Sequence, residues 1–119
     1  MRNVLVIDDD PEHAEIVAAL LRRRGFEVSV APDGPSGIAE ARRVPPDAIV
    51  LDYFMPSLDG IETAKKLRGC RRLRNVPIVF VSAWTEMAAE AQLQGPVRWL
   101  GKPFRAAQLA QALEEAIAH

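Results

Sequence analysis

Five apolar runs recur along the chain, each closed by polar or turn-forming residues, and between them apolar positions fall at helical spacing. Val4-Leu5-Val6-Ile7 is continuous, mostly β-branched, and ends abruptly in Asp8-Asp9-Asp10. Ala48-Ile49-Val50-Leu51 leads into Asp52, and Pro77-Ile78-Val79-Phe80-Val81 leads into Ser82-Ala83. Unbroken runs of this kind read as strands buried on both faces, as parallel sheets contain. Phe26 to Val30 alternates enough for a strand with one more exposed face, and Val97 to Leu100 makes a short fifth run before Gly101-Lys102-Pro103.

Helix signals fill the intervals. Asp10 is the natural N-cap before Pro11, a residue favoured at the first helical position. Ala14, Val17, Ala18, Leu20 and Leu21 supply an apolar face; Arg22-Arg23-Arg24 suits the helix dipole, and Gly25 ends the helix. Pro32-Asp33-Gly34-Pro35 is turn chemistry opening a second helix through Ile38, Ala39 and Ala41, which Pro45-Pro46 terminates. Asp59 caps a third, with Ile61, Ala64 and Leu67 at helical spacing. A fourth is expected from about Glu86 to Leu93, broken by Gly95-Pro96. The last carries Phe104, Leu109, Leu113 and Ile117 as its stripe. Strand and helix alternate five times, which implies an α/β fold: a doubly wound parallel sheet with helices on both faces and right-handed crossovers. No linker or repeat interrupts the pattern, so residues 1–119 read as a single domain.

Composition narrows the setting. Hydrophobic residues make up 49% and charged residues 26%, an ordinary globular balance. The formal net charge of −1 gives no global pull toward nucleic acid or anionic membrane. Lys65, Lys66, Arg68, Arg71, Arg72 and Arg74 read as a solvated basic surface, with no aromatic residue interleaved to stack on bases. Cys70 is the single cysteine and cannot form an internal disulfide. With no signal-peptide pattern and no membrane-length apolar stretch, a cytoplasmic protein is expected.

The residues that follow each strand change the picture. Asp8 and Asp9 follow the first, Asp52 the third, Ser82 the fourth and Lys102 the fifth, all expected on one edge of the sheet. In open α/β sheets that edge is where ligands bind. Each residue has a plainer reading: Asp52 as a turn acid, Ser82 as a helix cap, Lys102 as a surface lysine. Together they suggest chemistry. Carboxylates ~4 Å apart at an effective dielectric near 20 repel by about 4 kcal/mol per pair. Either one takes a proton or a cation sits among them. An all-oxygen set with open positions suits Mg²⁺, and an amine and a hydroxyl nearby suit phosphate oxygens. Aspartate can itself act as a nucleophile and form an acyl phosphate. The chemistry implied is Mg²⁺-assisted phosphoryl transfer to a carboxylate.

Four motifs in this order carry a resemblance: Val-Ile-Asp-Asp-Asp-Pro at 6–11, Leu-Asp-Tyr-Phe-Met-Pro-Ser-Leu-Asp-Gly at 51–60, Val-Ser-Ala at 81–83 and Gly-Lys-Pro-Phe at 101–104. The chain resembles the receiver domains of two-component response regulators over essentially its whole length. The resemblance implies a flavodoxin-like (βα)5 fold with strand order 2-1-3-4-5. It implies Asp52 as phosphoacceptor from a phosphohistidine of a sensor histidine kinase or histidine phosphotransfer protein. Asp8, Asp9 and the backbone carbonyl of Phe54 would hold Mg²⁺, with Mn²⁺ able to substitute. Lys102 and Ser82 would contact the phosphoryl group, Trp99 would stand at the position of the inward-rotating aromatic, and the Lys102–Pro103 bond would be cis. The expected activity is signalling, with only self-catalysed phosphoryl transfer and slow autodephosphorylation. The expected partners are the phosphodonor and an unidentified output protein, without direct nucleic-acid or membrane binding. The expected state is a monomer or a phosphorylation-dependent dimer, either a stand-alone regulator or a receiver cut from a longer protein. A small phosphatase with an aspartyl-phosphate intermediate is the rival from another class. Such enzymes need an acid two residues after the nucleophile, where this chain has Phe54.

The chain departs from the receiver pattern in three respects. Trp99 is larger than the usual tyrosine or phenylalanine, the stretch from Ser82 to Lys102 is short, and Gly95-Pro96-Val97 replaces the usual turn before the fifth strand. Phe54 and Trp84 stand two residues beyond Asp52 and Ser82, positions that flank the path of hydrolytic water in receivers, with Ala83 also at the rim. Two bulky apolar side chains there are expected to prolong the life of a phosphoryl group. Phe54→Asn with Trp84→Glu should therefore speed autodephosphorylation, followed by loss of phosphorylated mass with time; an unchanged or slower rate would sink the idea.

Overall fold

The structure, a computed structural model, describes residues 2–53, 59–82 and 95–118. In chain order the elements are β1 (Asn3–Ile7), α1 (Pro11–Arg23), β2 (Glu27–Ala31), α2 (Gly34–Arg43), β3 (Ala48–Asp52), α3 (Gly60–Arg68), a 3₁₀ turn (Arg71–Leu73), β4 (Ile78–Ser82), β5 (Val97–Gly101) and α4 (Ala106–Ala118). All strand pairs are parallel, in the order β2-β1-β3-β4-β5. This is the flavodoxin-like order expected from the sequence. The helix expected between Glu86 and Leu93 lies outside the described residues.

Alternation within the strands sorts the core into two layers. Val4, Val6, Ala48, Val50, Val79 and Val81 point to one face, where they pack with Ala14, Val17 and Leu21 of α1 and Leu109 and Leu113 of α4. Leu5, Ile7, Ile49, Leu51, Ile78 and Phe80 point to the other, against Ala41 of α2 and Ala64 and Leu67 of α3. Each valine, leucine, isoleucine or phenylalanine among them, removed fully from water, stabilises the fold by roughly 1.5–3 kcal/mol. The continuous apolar runs thus have their physical reason: both faces of β1, β3 and β4 are covered.

The expected helix caps are present: Asp10 accepts the N–H groups of Glu12 and His13, and Asp59 that of Glu62. Asp33, within the stretch read as a turn, also caps α2 by accepting the Ser36 N–H. The bond from the Ser36 N–H holds the Asp33 carboxyl below its ordinary value. Two sequence expectations are corrected. Leu20 is 37% exposed, because Ala14, Val17, Ala18 and Leu21 already define the buried stripe of α1 and Leu20 falls at its margin. Phe104 is likewise not within the last helix but precedes it, packing as a partly buried residue against the layer that holds Leu109 and Leu113.

Gly60 brings the start of α3 against the end of β3. Its N–H donates to the Tyr53 carbonyl at 2.8 Å, and a Cβ there would lie 2.8 Å from Tyr53 Cα and 2.9 Å from the Asp52 carbonyl oxygen. Those neighbours are backbone and cannot swing away. Gly69, at the other end of α3, has only ordinary approaches, the nearest at 3.4 Å. Gly60→Ala should therefore lower unfolding free energy by about 1–3 kcal/mol, measured by urea denaturation, whereas Gly69→Ala should leave the midpoint nearly unchanged.

Candidate functional site

Because the strands are parallel, β1, β3, β4 and β5 all finish on one edge of the sheet. The backbone ladder continues one residue past three of them: the Asp8 N–H donates to Ala31 O at 3.1 Å, Tyr53 N–H to Val81 O at 3.1 Å and Lys102 N–H to Ser82 O at 2.8 Å. Ile7 pairs with Leu51 and Ser82 with Gly101. This register brings Asp8 beside Asp52 and Ser82 beside the residue before Lys102.

Carboxylate oxygens of Asp8, Asp9 and Asp52 all lie within 4.8 Å of one another. Asp8 and Asp52 are 3% and 6% exposed, while Asp9 faces solvent. Lys102 Nζ stands 3.4 Å from Asp52 Oδ1, with the lysine side chain partly open to water. Asp8 is gripped at both oxygens: Oδ1 accepts the Asp10 N–H at 3.0 Å, and Oδ2 meets His13 Nδ1 at 2.5 Å. Asp10 spends its own carboxylate on the α1 cap.

Three carboxylates and one ammonium leave a formal charge of −2 at this edge. At the 4.8 Å limit each carboxylate pair repels by about 3.5 kcal/mol at an effective dielectric of 20, and by more at any closer separation. An all-oxygen donor set, two members buried and oriented and one open to water, fits a hard divalent cation that keeps part of its hydration shell. The residues present therefore fit Mg²⁺.

Ser82 ends β4 and is 1% exposed. Trp99, on β5, stacks on Phe80 with ring centroids 4.4 Å apart and planes 14° from parallel, and lies 5.9 Å from the Tyr53 ring. Tyr53 directly follows Asp52, so an aromatic row runs from the acid's neighbour to β5. The Lys102–Pro103 peptide bond is cis. Phe54, Ala83 and Trp84, named from sequence, lie outside the described residues.

Two residues took on roles that sequence reasoning had not assigned. His13 is the third residue of α1, and the Asp10 cap turns its ring back toward the end of β1; its spacing from Asp8 was the available signal. Arg68 departs from the solvated basic surface expected of the run around it. It is instead buried, its guanidinium donating to Leu73 O at 2.8 Å, Val76 O at 2.6 Å and Pro96 O at 2.8 Å. Burial lowers its pKa. Gly95 lies against it, with φ at +80° and no room for a Cβ, which would fall 2.5 Å from the Arg74 carbonyl oxygen. The unusual Gly95-Pro96-Val97 turn is thus the counterpart of Arg68. The other basic residues of the run, Lys65, Lys66, Arg71, Arg72 and Arg74, are exposed as expected.

Residues 4–114 match the family described as the response regulator receiver domain. The chain belongs to this family. Receiver domains of two-component response regulators are signalling phosphoacceptor domains. The chain is 35% identical over 119 residues to the transcriptional regulatory protein ZraR of Salmonella typhimurium, covering 98% of this chain and 26% of that protein. It is 35% identical over 111 residues to the sensory transduction protein RegX3 of Mycolicibacterium smegmatis, covering 92% of this chain and 47% of that one. It thus spans a quarter to a half of these relatives. Among solved structures, the receiver domain of a Pseudomonas aeruginosa sensor histidine kinase, with a magnesium ion coordinated in its active-site cleft, superposes with a TM-score of 0.88 at 29% identity, covering 99% of this chain and 98% of that one. The Vibrio cholerae chemotaxis protein CheY4 superposes with a TM-score of 0.87 at 29% identity, covering 98% of each chain. Among the described residues of this receiver, no helix is long and apolar enough to cross a membrane.

The crowding of charge at the strand ends is testable without any ligand. In chelator-treated buffer at low salt, Asp9→Asn should raise unfolding free energy by about 1 kcal/mol, the full pairwise repulsion being discounted for the exposure of Asp9. Added NaCl should shrink the difference. Equal urea midpoints at low salt would show that the acids do not oppose one another.

Proposed function

We propose that this receiver accepts a phosphoryl group on Asp52, with Asp8 and Asp9 holding Mg²⁺, or Mn²⁺ in its place, and Lys102 and Ser82 contacting the transferred group. The observation that carries the reading is the Lys102–Asp52 approach beside the acid cluster. It distinguishes Asp52 from the other two acids. Asp8 is already held at both oxygens, whereas the Asp52 carboxylate faces the ammonium that a new anion would need.

Bound Mg²⁺ supplies positive charge that offsets the acids and draws in phosphoryl oxygens. The chain's own residues supply the rest. An Asp52 carboxylate oxygen attacks phosphorus, the P–N bond of a phosphohistidine breaks, and the departing imidazole nitrogen takes up a proton. The acceptor ends as an acyl phosphate. Lys102 moves from pairing with Asp52 to pairing with a phosphoryl oxygen, and the Ser82 hydroxyl donates to another. Burial of Asp52 strengthens both contacts by excluding water. Turnover then amounts to self-catalysed transfer and slow loss of the group, as in a switch. The donor is a sensor histidine kinase or a histidine phosphotransfer protein in the cytoplasm. Phosphorylation alters affinity for an output partner or for a second copy of the chain; that output is a further domain or a separate protein.

Incubation with Mg²⁺ and acetyl phosphate should add one phosphoryl mass to the intact chain, lost in Asp52→Asn and strongly reduced in Asp9→Asn. Lys102→Ala should slow labelling by tenfold or more, about 1.4 kcal/mol in the transition state. Labelling that survives Asp52→Asn, or multiple-turnover release of phosphate from unrelated monoesters, would count against this assignment.

A further inference from the structure

We infer that His13 is a positioning residue for the metal-holding acid Asp8, and that it ties the metal side of the site to the lysine side. The inference rests on the reading of Asp8 and Asp9 as Mg²⁺ ligands. Asp8 is buried, and its Oδ2 lies 2.5 Å from His13 Nδ1. As a Mg²⁺ ligand a carboxylate is ionised and can only accept hydrogen bonds, so in that role the contact is one that His13 Nδ1–H donates. With the Asp10 N–H on the other oxygen, the two donors leave the Asp8 carboxylate no freedom to rotate. Each oxygen keeps a lone pair for a cation or for its water.

His13 is itself held. Its backbone N–H donates to the Asp10 cap at 3.2 Å, and its ring meets Phe104 edge-on, with centroids 6.4 Å apart and planes at 71°. Phe104 lies two residues beyond Lys102, just past the cis bond. A continuous chain of contact therefore runs from Asp8 through the His13 ring and Phe104 to the loop that presents the lysine. Partners that orient a metal ligand in this way typically contribute 10–100-fold to metal affinity.

Binding of MgCl₂ to the intact chain by isothermal titration calorimetry tests this without any phosphodonor. His13→Leu removes the donor and should weaken Mg²⁺ binding roughly 10–100-fold. His13→Asn places an amide N–H near the Nδ1 position and should hold affinity within about threefold. Urea midpoints taken without metal show whether each variant is folded. If His13→Leu does not fold, His13→Asn alone decides, and a tenfold loss there overturns the inference. A folded His13→Leu that binds Mg²⁺ as tightly as the native chain, or more tightly, also overturns it, as does a His13→Asn no better than His13→Leu. Asp9→Asn separates the two levels. If the native chain binds no Mg²⁺, or Asp9→Asn binds it unchanged, the ligand assignment fails and this inference with it. A normal Asp9→Asn loss with an indifferent His13→Leu sinks the inference alone.

Discussion

A parallel sheet covered by helices on both faces has no place for charge except at the ends of its strands, and the rest of this receiver follows from that restriction. The apolar side chains of β1, β3 and β4 alternate into the two apolar layers. The polar residues that close the apolar runs of β1, β3 and β4, and Lys102 just after β5, therefore stand at one rim, and parallel connectivity puts these four strand ends side by side. Asp8, Asp52, Ser82 and Lys102 are gathered by backbone register before any side chain contributes. Their mutual electrostatics are then imposed by the fold, and Gly60 packs closely against the Asp52 backbone.

Assembly of like charge in this way is tolerated because the surroundings are asymmetric. Asp8 is buried and doubly hydrogen-bonded, Asp52 is buried beside an ammonium, and Asp9 remains in water. Burial makes the first two sensitive to any change of charge nearby, while exposure of the third gives a cation a route in. Phosphorylation would therefore be felt chiefly through Asp52 and Lys102. The Tyr53–Trp99–Phe80 row begins at the residue after Asp52 and reaches β4 and β5.

Much of this was legible in the chain. Runs such as Val4 to Ile7 report a strand buried on both faces, and Asp10-Pro11, Asp33 and Asp59 report helix starts through local hydrogen-bonding preferences. The positions of Asp8, Asp9, Asp52, Ser82 and Lys102 after their strands follow from the same pattern. Arg68, His13 and Leu20 were not legible, for different reasons. Arg68 sits in a run of cations and differs from them only by pointing inward, toward carbonyls that come from distant segments. His13 contacts Asp8 only because a helix folds back over a strand end. Leu20 lies at the edge of a stripe whose width the number of neighbouring helices sets, not α1 itself.

The joint between Arg68 and the start of β5 has a consequence for how such chains diverge. Its guanidinium holds carbonyl oxygens of Leu73, Val76 and Pro96, groups that every amino acid possesses, so the joint itself does not specify the side chains at those positions. The constraint falls on two places: the arginine, and the glycine pressed against its Cζ and Nε atoms. Neither can change comfortably while the other stays. Positions 68 and 95 should thus be inherited as a pair, and a relative with a different turn before its fifth strand should have found another residue for position 68.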